Sequence, residues 1–125
     1  MHNVQRLSPR AFEPRLDLDA VAALEAIQGP EPSGYGFEDA LIDATERLVV
    51  IERALEDENW TRTARAAREL ARIASRAGLI SVAGQAEALE RCCEGLDRHA
   101  AHAVGQRLLR TSEAALCCIM AGGLR

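Results

Sequence analysis

Six apolar residues spaced by four and three, Phe37, Leu41, Ala44, Leu48, Ile51 and Leu55, run through one stretch of the chain. On a helix of 3.6 residues per turn these positions share one side and form a continuous stripe. A strand cannot use this pattern, because its faces alternate every second residue. The spacing predicts a long amphipathic helix over about Phe37 to Asp57, with Glu38 and Asp39 in its first turn, where negative charge suits the helix dipole. A chain carrying such a stripe must bury it, and the surrounding sequence supplies further helices as partners.

The apolar content has the same bias. Hydrophobic residues make up 48% of the chain but aromatic residues only 3%. Ala, Leu, Val and Ile carry the rest, which suits closely packed helices, and no segment alternates β-branched and aromatic residues as a strand would. Asn59 is placed to cap a helix over about Trp60 to Ala77, whose inner side is Trp60, Ala64, Ala67, Leu70 or Ala71, and Ala74, with Gly78 as its stop. Ser81 is expected to cap a helix over about Val82 to Glu94, with Val82, Ala86, Leu89 and Cys93 inward and Gly95 as its end. Asp97 caps a last helix, Arg98 to Ala121, along Ala101, Val104, Leu108, Ala115 and Cys118 or Ile119.

Ahead of the long stripe, a short helix fits about Asp17 to Gln28, with Leu18, Val21, Ala22 and Leu24 on its apolar side. Gly29, Pro30, Pro32, Ser33, Gly34 and Gly36 then break the chain, and Tyr35 and Phe37 are placed to pin that break. Residues 1–15 read as a flexible tail, broken by Pro9 and Pro14, and residues 16–122 as one helical domain. Short links between long amphipathic helices favour antiparallel neighbours. The expected fold is therefore all-α: an up-down-up-down four-helix bundle with a short extra N-terminal helix.

Composition also excludes function classes. All fifteen basic residues are arginine, so lysine nucleophiles, Schiff bases and a phosphate-binding P-loop are out of reach. A formal charge of −4 argues against general nucleic-acid binding. Neither a long apolar run nor a signal-type apolar core is present, so no membrane partner is expected and a cytoplasmic location is the default.

The stretch ARAARELARIASRAGLISVAGQAEALE, Ala64 to Glu90, resembles the signature of the histidine-phosphotransfer (Hpt) family. Leu70 matches the family's Leu, Gly78 its later Gly, and Ala86, Leu89 and Glu90 its following helix; Trp60 stands where the family often places an aromatic. The overall pattern extends from Leu16 to Gly122 and is specific only around these two helices. Three departures are coordinated: Arg68 occupies the position of the phospho-accepting His, Ala71 that of the Lys three residues on, and Arg72 that of the Gly after it. Phosphotransfer needs a neutral imidazole nitrogen as nucleophile, and a guanidinium, protonated at any ordinary pH, cannot serve.

The resemblance, with its losses, implies a non-catalytic Hpt-like signalling domain that binds a response-regulator receiver or a histidine kinase without carrying phosphate, and no cofactor. Arg65, Arg68, Arg72 and Arg76, spaced by three and four, share a helix face with Arg62 and Glu69 near its edge. Arg68 could enter a receiver's carboxylate pocket and pair bidentately. Arg65, Arg68, Glu69, Arg72 and Arg76 are the candidate partner-binding residues; a solvated basic face is the bland alternative. An active phosphotransfer protein using His99 or His102, an unrelated helical-bundle interaction protein, and a homodimer burying part of the arginine face are the other readings. His99 and His102 could also place a metal pair on one face, though surface histidines explain the spacing as well. The four cysteines form two adjacent pairs, Cys92-Cys93 and Cys117-Cys118, unlike a zinc site. A hairpin turning at Gly95 to Asp97 would hold the pairs on the order of 20 Å apart, too far for a disulfide.

Overall fold

The computed structural model describes residues 36–120. Within them the chain forms four helices, α1 (Phe37–Glu56), α2 (Trp60–Arg76), α3 (Ile80–Glu94) and α4 (Arg98–Met120). No strand occurs among the described residues. The expected tail at residues 1–15, the short helix at 17–28 and Tyr35 lie outside them.

The expected stripe is the buried side of α1. Phe37, Ala44, Ile51 and Leu55 are buried, and Leu41 and Leu48 are half-buried beside them. Ala40 and Ala54 join them in the core. The largest fully buried side chains are Ile51, Leu55, Leu70, Leu89, Leu108 and Thr63, so every helix contributes one. Burying a leucine of this kind stabilises the fold by about 1.5–3 kcal/mol. From α2 the core takes mostly alanines, Ala66, Ala67, Ala71 and Ala74, whose small size lets a neighbouring helix approach closely. Accordingly α2 and α3 share the most extensive contact, while α1 and α4 share the least among the packed pairs.

The three links are each three residues long and share one hydrogen-bond design. After α1, the Glu58 N–H donates to Leu55 and the Asn59 N–H to Ala54; after α2, Gly78 donates to Ser75 and Leu79 to Ala74; after α3, Leu96 donates to Cys93 and Asp97 to Cys92. This is the Schellman arrangement, which satisfies the last carbonyls of a helix by turning one residue into the left-handed region. Gly78 takes that position at φ 80, as a residue without a Cβ does readily, but the other two links place Glu58 (φ 54) and Leu96 (φ 58) there.

The last residue of each link also opens the next helix. Asn59 Oδ1 accepts from the Arg62 N–H at 3.1 Å, and Asp97 Oδ1 accepts from the Ala100 N–H at 3.0 Å, as expected of both caps. The cap expected of Ser81 is corrected: α3 begins two residues earlier, with Leu79 at its N-cap and no side-chain cap. Leu79 is buried, and packing decides the start of this helix where a hydroxyl was expected to. Gly95 ends α3 as expected, yet with φ −83, and the left-handed turn falls on Leu96.

Candidate arginine face on the second helix

Helix α2 carries five arginines and one glutamate, a formal charge of +4 in a chain of −4. Its alanines, Leu70 and Thr63 occupy the inner side, so the arginines project outward: Arg62, Arg65, Arg68, Arg72 and Arg76 are all exposed. Arg68 stands near the middle of the helix with 60% of its side chain exposed. It is held sideways, toward α3. Its Nε donates to Glu90 Oε2 at 2.7 Å and its Nη2 to Glu94 Oε2 at 3.4 Å. The hydrogen bond to Glu90, with that carboxylate's charge, raises the guanidinium pKa further above its ordinary value.

The candidate residues divide between different surroundings. Glu69 turns the other way and accepts from Arg47 Nη1 of α1 at 2.8 Å, so it braces α1 against α2. Arg65 and Arg68 line an open hollow of about 400 Å³ between α2 and α3, together with Trp60, Ala64, Cys93 and Leu96. Arg72 and Arg76 line a second open depression with Ala71, Ile73 and Glu87. Among the described residues, Arg62, Arg65 and Arg72 make no ion pair.

The two histidines of α4 have different roles. His99 is exposed. His102 is half-buried, packs edge-on against the Trp60 ring with centroids 5.3 Å apart, and places Nε2 3.5 Å from Glu58 Oε2. Glu58 also accepts from Arg98 Nη2. This hydrogen bond, with the Arg98 charge, holds the Glu58 carboxyl below its usual range. Glu58 thus latches the α1–α2 link to the start of α4. The pairing of Glu90 and Glu94 with Arg68, and of Glu58 with Arg98, has no signal in the local sequence, because each pair joins separate helices or a link and a helix.

No group of three or more His, Cys, Asp or Glu capable of holding a metal occurs among the described residues. All four cysteines are free: Cys93 is buried, Cys92 and Cys118 are half-buried and Cys117 is exposed. Cys93 fills the core as expected, whereas Cys118 is not part of it: Ile119, its alternative, packs against the core at the end of α4, and so does Cys92. Burial pushes the Cys93 thiol up to about 11. No described helix is long and apolar enough to cross a membrane.

Compared with known proteins, the chain matches no family model, no curated protein and no solved structure. The physical character of the α2 face therefore carries the functional argument.

Proposed function

We propose that this chain is a non-catalytic, Hpt-like signalling domain that docks on a response-regulator receiver or a histidine kinase through the arginine face of α2. In this reading the helices run up-down-up-down. The pairs Arg47–Glu69 and Arg68–Glu90, each joining helices linked by three residues, support that course. The observation that carries the function is the position of Arg68: exposed at mid-helix, with Arg65 and Arg72 on the same face. Permanently charged, forked donors suit carboxylates, the groups that a receiver gathers at its phosphorylation pocket.

A solvated basic face is the competing reading, and the pairing of Arg68 with Glu90 and Glu94 favours it. The experiment is a binding titration of purified receiver and histidine-kinase domains against the wild-type chain and Arg68→Glu, with an acid-labile phosphate assay alongside. Docking predicts binding that Arg68→Glu abolishes and no label on the chain. Unchanged binding would sink the proposal, and label on His99 or His102 would replace it with phosphotransfer through another histidine.

A further inference from the structure

Two of the three links hold a residue with a side chain where the left-handed turn favours glycine, and both belong to one end of the molecule. Glu58 and Leu96 line the same depression there, with Gly95, Asp97, Arg98, His99 and His102. For Glu58 the fold gives a reason, because its carboxylate holds Arg98 and His102. For Leu96 it gives none. Leu96 is 76% exposed, more than Ile42, Val49 or Ile80, the other exposed large apolar residues among those described. A non-glycine residue in this region is strained, and an exposed leucine gains no burial to offset it. The neighbouring residue is a glycine in an ordinary right-handed conformation, so the chain does not use its glycine where the turn would favour one.

Leu96 also forms a wall of the 400 Å³ hollow that contains Trp60, Ala64, Cys93, Arg65 and Arg68. One side of that hollow is apolar; the other holds Arg65 and Arg68 with Glu94, whose carboxylate pairs with Arg68, and Arg65 is without an ion pair among the described residues. We infer that Leu96 is a binding residue: it closes a hollow that accepts an apolar side chain from an acidic stretch of a protein partner, whose carboxylate meets Arg65. Charge complementarity selects this occupant, since Glu90 and Glu94 already hold Arg68 and leave Arg65 as the unpaired charge at the hollow. Binding energy concentrates in a few side chains, aromatics and arginines above all, and this hollow presents Trp60 and Arg65 beside Leu96. The inference shares with the docking reading the premise that Arg65 and Arg68 face a partner, and adds a separate anchor on the α3–α4 link.

The test uses phage-displayed random dodecapeptides selected on the immobilised wild-type chain, then titrated against Leu96→Gly, Leu96→Asn, Arg65→Glu and Arg68→Glu, with thermal melts of each variant. Enriched peptides should combine acidic with large apolar residues and lose at least about tenfold in affinity for both Leu96 variants. Leu96→Gly should meanwhile melt higher than wild type, because its turn is relaxed. Loss of binding together with a gain in melting temperature rules out damage to the fold. Failure to enrich such peptides, equal binding to Leu96→Gly, or a lower melting temperature for that variant overturns the inference. Peptides lost on Arg68→Glu but kept by Leu96→Gly leave the docking reading standing and overturn the inference; peptides lost on the Leu96 variants and Arg65→Glu but kept by Arg68→Glu uphold the inference and count against docking through Arg68; full binding to Arg65→Glu overturns the inference.

Discussion

Gly105 of α4 and Leu55 of α1 lie so close that a Cβ on Gly105 would meet Leu55 Cδ1 at 2.5 Å. Leu55 is buried, so its side chain has little room to yield. The contact lies where α1 and α4, the least extensively packed of the neighbouring pairs, come together. Overpacking costs about 1–3 kcal/mol, while replacing a helical glycine by alanine gains up to about 1 kcal/mol. Gly105→Ala should therefore lose about 1 kcal/mol in denaturant titration. Gly84→Ala on α3, where nothing lies within 4 Å of the added methyl, should gain about 0.5–1 kcal/mol. Equal effects at the two positions would contradict the close approach.

The Glu58 latch has a pH signature. Its carboxyl is held below the usual range, chiefly by the hydrogen bond to Arg98. The stability it supplies is present above the unfolded-state value, about pH 4, and is lost as pH falls through the lower folded-state value. Glu58→Gln keeps the shape and the backbone conformation but not the charge. Wild type should be more stable than this variant at neutral pH, and the difference should vanish in acid. A difference independent of pH would show that the latch is not ionic.

Asn59 caps α2 through one hydrogen bond, to the Arg62 N–H. Asn59→Ala should lower stability by about 1 kcal/mol, read as a shift in the denaturation midpoint without a change of slope.

Thiol reactivity should follow exposure. At neutral pH a thiol reagent should label Cys117 first, Cys92 and Cys118 more slowly, and Cys93 last, because Cys93 is buried and its thiol is pushed up to about 11. Mass-mapped labelling in time would check the order, and early modification of Cys93 would show that α3 opens readily.

The helices were legible because their signals are local. The stripe from Phe37 to Leu55 and the caps Asn59 and Asp97 depend only on spacing along one helix or across one turn. What crosses between helices was not legible. That Arg68 meets Glu90 and Glu94 while its neighbour Glu69 meets Arg47 depends on how far each helix is rotated about its axis, which spacing within one helix does not fix. Local signals also misled where packing overrode them. Ser81 offered a cap, but buried Leu79 set the start of α3; Gly95 offered a flexible stop, but Leu96 took the left-handed turn. The hollow beside Arg65 arises from α2, α3 and the α3–α4 link together, so no single segment announced it.

The concentration of positive charge on α2 has a kinetic consequence. A molecule of formal charge −4 with +4 on one helix is an electric dipole, and in an acidic partner's field it turns that helix forward before contact. Encounters should accordingly favour the α2 face over other orientations, a bias that fades as ions screen the field, whereas the lifetime of the complex, set by short contacts, should change far less.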